Sequence, residues 1–169
     1  FTIDQGATLS IGPGVVIQFG PDSGIDVAGR LLAQGTADEP IAFTSATGAT
    51  WQGLYFENQD AASSLEQVLI QHTYAAISDA HSKDLSLSHV RVEDGEYGIM
   101  ADGSHLSLDT FSAENMSSEA LDISYGSDVI LKNLTLKNVG TSVQIYVNSS
   151  ADISNLLING ASGEALAVY

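Results

Sequence analysis

Asp102 and Asp122 are two acids in a chain whose apolar beats return about every 22 residues. If the chain winds in turns of that length, the two fall on neighbouring turns. Their carboxylates would then lie about 5–9 Å apart, the separations at which paired acids cleave glycosidic bonds. With 21 Asp plus Glu in the chain, such a pair also arises by chance, and no catalytic residue is assigned beyond these two candidates. Tyr55, Glu57, Tyr146 and Tyr169 are the candidate ligand-binding residues, because a tyrosine ring offers a flat apolar face with a polar tip. His72, His81, His89 and His105 fall at different positions within the repeat and show no metal-ligand spacing. The basic residues are Arg30, Lys83, Arg91, Lys132 and Lys137, and none shares a face with a carboxylate cluster.

These residues need elements to position them, and the repeat supplies those elements. A small residue followed by an apolar one recurs at Gly53-Leu54, Ala76-Ile77, Gly98-Ile99, Ala120-Leu121, Ser142-Val143 and Ala165-Leu166. A second column runs Leu65, Leu87, Leu108, Leu131, Ile153, and a third Val68, Val90, Phe111, Leu134, Leu156. Columns that hold register over five repeats mark a repeat architecture. Within each repeat the apolar residues alternate with polar ones, as in "LTLKN" and "VQIYV", which is the period of a half-buried strand. No stretch sustains a helical stripe. One repeat cannot bury its own apolar side, so repeats must stack. Three strand-like pieces per repeat predict an all-β, right-handed, three-sided parallel β-helix (a solenoid) of about seven coils of ~22 residues.

A polar column separates the second and third pieces: Gln67, His89, Thr110, Asn133, Asn155. Asn tolerates the left-handed backbone that a sharp bend requires, and stacking should join Asn133 and Asn155 in a hydrogen-bonded ladder. Another polar column, His72, Asp94, Asn115, Asn138, Gly160, follows the third piece. The whole of 1–169 reads as one β-helix domain, with longer, irregular opening coils over 1–53 and regular coils over 54–169. The insertions around Thr44–Gln52 and Asn58–Ser64 are the longest and could build one wall of a groove.

Composition narrows the function. The formal net charge is -16, from five Lys plus Arg against 21 Asp plus Glu. Such a surface repels nucleic acid, whose phosphates need clustered cations. No apolar run approaches the ~18–20 residues that span a bilayer, so no membrane insertion is expected. There is no cysteine, which suits an exposed extracellular protein at least as well as a cytosolic one. No cofactor is expected unless it is Ca2+, at a loose site around Asp79, Asp102 and neighbouring acids, since no EF-hand loop or G-G-x-G-x-D repeat is present.

The period, the three strands per turn and the Asn at the bend resemble the right-handed parallel β-helix proteins of the pectate-lyase-like superfamily. The opening phrases "IGPGVVIQFG", "VAGRLLAQGTADEPIAFTS" and "WQGLYF" resemble the first coils of bacterial and archaeal cell-surface proteins with this fold. In the superfamily's lyases and hydrolases, substrate lies along the outer face of the first sheet. Here alternation assigns to that face Tyr55, Glu57, Ser78, Ala80, Met100, Asp102, Asp122, Ser124, Gln144, Tyr146, Ala167 and Tyr169. The N-T-D, D-D, G-H-G and R-I-K motifs of the hydrolases are absent, and no basic residue stands where a lyase would place its base.

The expected function is therefore a non-enzymatic extracellular or cell-surface module, serving as a rigid structural, adhesion or self-assembly element with glycan binding on its tyrosines. The alternative is a polysaccharide lyase or glycoside hydrolase domain acting on acidic polysaccharide. Neither end shows an amphipathic capping helix, so the chain is expected to be a piece of a longer surface protein. The competing expectation is end-to-end stacking on neighbouring subunits.

Overall fold

The computed structural model describes residues 1–169. Its alternating segments are strands throughout, with no helix. The first turn takes β1 (Thr2–Ile3), β2 (Thr8–Ile11) and β3 (Val16–Phe19), and the second β4 (Gly24–Val27), β5 (Arg30–Gln34) and β6 (Ile41–Ser45). Then β7 (Gly53–Glu57), β8 (Ser63–Gln71), β9 (Ala75–Ala80), β10 (Leu85–Gly95) and β11 (Tyr97–Asp102) follow. Last come β12 (His105–Ser124), β13 (Asp128–Ile145), β14 (Ser150–Ala161) and β15 (Leu166–Val168). The long strands run around corners, so that β8, for example, serves two sheets.

All pairing is parallel, and it makes three sheets. The first stacks β1, β4, β7, β9, β11, the ends of β12 and β13, and β15. The second stacks β2 and β5 on the opening halves of β8, β10, β12, β13 and β14. The third stacks β3 and β6 on the middle or closing parts of the same long strands. The protein is a three-sided parallel β-helix of about eight turns, one more than the period suggested, because the last strand opens a further turn. The spacing is widest where Asp26 pairs with Tyr55 and Ala33 with Leu65, so the irregularity is concentrated in the second turn.

The apolar columns stand in register. Leu54, Ile77, Ile99, Leu121, Val143 and Leu166 form one file, and Leu65, Leu87, Leu108, Leu131 and Ile153 another. Together with Val68, Val90, Phe111 and Leu134 they belong to, or pack on, one continuous core, except Leu166, which is half exposed in the last turn. Each fully buried Leu or Phe contributes about 1.5–3 kcal/mol of burial. Near the opening, Trp51 stacks on Phe19 with ring centroids 4.0 Å apart and donates its indole N–H to the Gln71 carbonyl at 2.7 Å. The small-residue column has a steric cause: a Cβ on Gly98 would sit 2.3 Å from the Ala120 carbonyl oxygen of the next turn.

The bends fall where the polar columns predicted them. Gln67, His89, Thr110, Asn133 and Asn155 all have φ between 52 and 59°, and His72, Asp94, Asn115 and Asn138 between 50 and 60°. Asn155 Nδ2 donates to Asn133 Oδ1 at 2.9 Å, as expected of the ladder. The next rung is not Thr110: Asn133 Nδ2 reaches Asp109 Oδ1 at 2.8 Å. A second ladder at the other corner, Asn138 to Asn115 to Asp94, has rungs of 3.3 and 2.9 Å.

At the corner between the first and second sheets lies a buried polar seam that the sequence reading did not single out. Ser63, Ser82, Ser104 and Ser127 are all buried. Ser127 Oγ donates to the Ser124 carbonyl at 2.7 Å, and Ser104 Oγ to the Asp79 carbonyl at 2.8 Å. Asp79 belongs to this seam. It is 1% exposed, points inward between Phe56 and Ala101, and accepts a hydrogen bond from Ser82 on one oxygen. Its other oxygen has no partner. Burial pushes this carboxyl up to about 6, while the bond from Ser82, the nearby Ser104 hydroxyl and the charge of His105 pull it down.

Two predictions follow from the interior. Leu134→Asp buries an uncompensated charge in the middle of the stack and should abolish the cooperative unfolding transition, whereas Lys132→Ala on the exposed face should leave the melting temperature nearly unchanged; circular dichroism melts of both variants check this. For Asp79, the folded state prefers the protonated form, so stability is full below the ordinary pKa of 3.8, falls as pH rises toward about 6, and stays reduced above. Asp79→Asn should therefore raise stability at pH 7 by on the order of 2–3 kcal/mol, with the gain shrinking between pH 6 and 4. Denaturant unfolding across that range measures it, and a gain that grows on acidification would contradict it.

Candidate functional site

On the first sheet, alternation turns Asp26, Tyr55, Ser78, Met100, Asp122 and Gln144 outward in one row. Glu57, Ala80, Asp102 and Ser124 form the row beside it. The outward assignment is right in parity but not in exposure at two positions: Ser124 and Ala167 are both 6% exposed. Ser124 is drawn in because its hydroxyl donates to the Ala101 carbonyl at 3.4 Å.

The early turns carry a groove of about 290 Å³. Tyr55 and Tyr74 line it, 39% and 43% exposed, and its floor is formed by Gly24, Gly53, Ala75 and Ser78. Gly53 adopts φ +106°, and a Cβ there would sit 1.7 Å from the Ala75 carbonyl oxygen, so the floor at this point has to be bare backbone. Asp26 and Gln52 supply polar groups to the same groove. Tyr74 is braced by Tyr97, edge to face, with centroids 5.4 Å apart and planes at 67°. Burial raises the Tyr55 hydroxyl above its ordinary pKa, and Glu57, Asp102 and Asp26 push it further.

Of the sequence candidates, the structure places Tyr55 in this groove and Glu57 in the outward row beside it; Tyr74, Asp26 and Gln52 in the groove and Tyr97 against Tyr74 were not singled out from sequence. The recurrence of Tyr74 and Tyr97 about one repeat apart was a legible signal. Of the two insertions expected to wall a groove, that around Thr44–Gln52 contributes only Gln52. Tyr146 and Tyr169 lie four and five turns further along, about 19 and 24 Å from Tyr55 at the usual strand spacing. They do not join the Tyr55 groove. The Tyr169 hydroxyl is engaged by Glu164 at 2.7 Å, which raises its pKa.

The later turns bring the acid pair together with Tyr146. Asp122 pairs in register with Met100, and Asp102 with Ser124, so the two acids are diagonal neighbours. Tyr146 donates its hydroxyl to Asp122 Oδ2 at 3.0 Å, and Asp122 Oδ1 is buried without a partner. Burial raises the Asp122 carboxyl above its ordinary range; the Tyr146 bond pulls it back, and Glu119 and Asp102 push it up. The Tyr146 hydroxyl is raised by burial and by Asp122. Gln144 donates to Glu119 at 3.3 Å. No Lys or Arg lies on this face: Arg91 pairs with Glu93 at 2.8 Å and Lys137 with Glu114, both on the third sheet.

No three His, Asp or Glu side chains converge as metal ligands. Asp79 and Asp102, the acids named for a loose calcium site, are not brought together. Asp79 pairs with Ala101 and faces the core, while Asp102 pairs with Ala80 and faces out, so the sheet separates them. A larger groove, of about 330 Å³, runs along the bend of the second and third sheets, past Gln67, His89, Arg91 and Asn133, with Ala37 and Pro40 as its wall. Gln67, His89 and Asn133 are bend residues that the left-handed corners require, and Arg91 is already paired.

The class that fold and face define is a parallel β-helix with an acidic, tyrosine-bearing first sheet. Compared with known proteins, the chain matches no family model and no curated protein.

The acid patch predicts an ordered set of shifts. Asp122 should titrate above an ordinary aspartate, Tyr146→Phe should raise it further, and Asp102→Asn should lower it. Carboxyl carbon shifts followed by NMR across acid pH check the three directions.

Proposed function

We propose that this chain is a rigid, non-enzymatic β-helix module of a secreted or cell-surface protein, and that the early groove of its first sheet binds glycan chains. The observation that carries this reading is the pairing of Tyr55 and Tyr74 beside a backbone floor, with Asp26 and Gln52 in the same groove. Sugar rings present apolar C–H faces that stack on aromatic rings and hydroxyl edges that bond to carboxylates and amides. Tyr74 is held by Tyr97 and Tyr55 by the strand, so little ordering is needed on binding. The rigidity follows from one core running the length of the stack. An exposed extracellular setting agrees with the absence of cysteine and the high acid content.

The second reading, a lyase or hydrolase acting on acidic polysaccharide, draws support from Asp122, whose raised carboxyl is the kind of group that donates a proton. Against it, the first sheet has no Lys or Arg to act as a lyase base or to hold a substrate carboxylate.

Tyr55→Ala and Tyr74→Ala should each weaken binding of soluble glycan by about tenfold, the loss of one stacking face, with the unfolding midpoint little changed. A glycan array followed by calorimetry measures this. Release of reducing or unsaturated ends from polysaccharide, abolished by Asp122→Asn or Asp102→Asn, would replace the binding reading with the enzymatic one.

A further inference from the structure

Three N-x-S/T triplets begin at Asn115, Asn133 and Asn148, and each has the sequence of an acceptor for an N-linked glycan. A glycan reaches such a site only on a secreted or cell-surface chain, the reading proposed above on which this inference rests. Spacing alone treats the three triplets alike. The stack does not.

Asn115 and Asn133 lie inside the long strands β12 and β13, which are paired to a turn on either side. Both side-chain amides are committed to the corner ladders. Asn115 Nδ2 donates to Asp94 at 2.9 Å, and its Oδ1 accepts from Asn138. Asn133 Nδ2 donates to Asp109 at 2.8 Å, and its Oδ1 accepts from Asn155. The middle residue of each triplet is a core side chain: Met116 is 2% exposed and Leu134 1%. A transferase must lift three consecutive residues off the surface to read the Asn and the hydroxyl two places on. Lifting either triplet would break bonds to both neighbouring turns and draw an apolar side chain into water.

Asn148 lies instead in the turn between β13 and β14, outside any strand. It is exposed, its side chain takes part in no hydrogen bond, and the middle residue is the half-buried Ser149. No backbone N–H of Val147, Asn148 or Ser149 is bonded to another part of the chain. The turn is tied down by the Val147 carbonyl, accepting from Gly126 at 2.9 Å, and the Ser149 hydroxyl, accepting from Gly126 and Ser127 at 3.2 Å. Ser150, the third residue, is exposed and spends its hydroxyl on a surface contact with Asp128 at 2.6 Å. Val147 has φ 55°, a left-handed backbone that a β-branched residue resists, so releasing the turn also relieves strain.

We infer that Asn148 is the attachment point of an N-linked glycan, and that the folded chain accepts it there alone. In the transfer, Asn148 Nδ2 bonds to the anomeric carbon of a lipid-linked diphosphate sugar. The bond from that carbon to the phosphate oxygen breaks, the lipid diphosphate leaves with the electron pair, and one amide proton passes to a base of the transferase. The glycan then stands at the corner of the first and second sheets, four turns beyond Tyr55, and leaves the groove there open.

The test incubates the purified whole chain with a single-subunit oligosaccharyltransferase and a short lipid-linked oligosaccharide, with free peptides spanning each triplet as the unfolded control. All three peptides should accept. The intact mass of the folded chain should rise by one glycan, mapped to Asn148, and Asn148→Gln and Ser150→Ala should each abolish it with the melting temperature little changed. A glycan at Asn115 or Asn133 of the folded chain, or none at Asn148, overturns the site. Acceptance by the Asn148 peptide alone would put the selection in local sequence and overturn the role given to the fold. Chain recovered from the surface or medium of its own cells should carry the same single glycan. Recovery only from the cytosol removes the secreted reading and the glycan with it, whereas failed transfer to the purified chain removes the site alone.

Discussion

Parallel hydrogen bonding between turns one repeat apart sets the terms for this protein. It leaves each strand little choice of register, because a slip of one residue would turn every inward side chain to solvent. It also places each side chain directly above its counterpart in the previous turn, so position in the repeat becomes a vertical file. Leu54 to Leu166 is such a file, and so are the left-handed corners from Gln67 to Asn155. Where a file approaches the neighbouring backbone closely, as at Gly98, size is restricted as strictly as polarity.

The same stacking that builds the core also decides where polar groups are tolerated inside it. Serines at the first corner reach backbone carbonyls that a turn leaves free, and Asn side chains at two other corners bond to the turn before. Asp79 is the exception, with one oxygen satisfied and the other not. Its burial works against charge at neutral pH, so the interior carries a cost that the surrounding serines offset only in part.

On the outside, stacking separates charge by face. The third sheet places Arg91 beside Glu93 and Lys137 beside Glu114, and is close to neutral there. The first sheet gathers Asp26, Glu57, Asp102 and Asp122 without a Lys or Arg. Tyrosines at the two ends of that face do different things. Tyr55 and Tyr74 present open rings beside bare backbone, whereas Tyr146 spends its hydroxyl on Asp122. The acid pair is therefore tied into the face, and the open aromatic groove is the part of the face shaped to receive something.

Period-two alternation repeated every 22 residues or so was enough, on its own, to assign the solenoid, the inward files, the bend columns and the Asn133–Asn155 rung. Each of these depends only on position within a repeat, and position is written in the chain. The groove was not legible in the same way. Tyr74, Gln52 and Asp26 meet Tyr55 because a corner, an insertion and a widened second turn bring three different repeats to one place. Likewise Asp79 and Asp102 look like neighbours by spacing, yet their one-residue difference in parity puts a sheet between them. Sequence reports which face of its own strand a residue takes. Which residues from separate turns share a cavity is decided by where the backbone bends and how long each insertion is, and those are settled only when the turns pack.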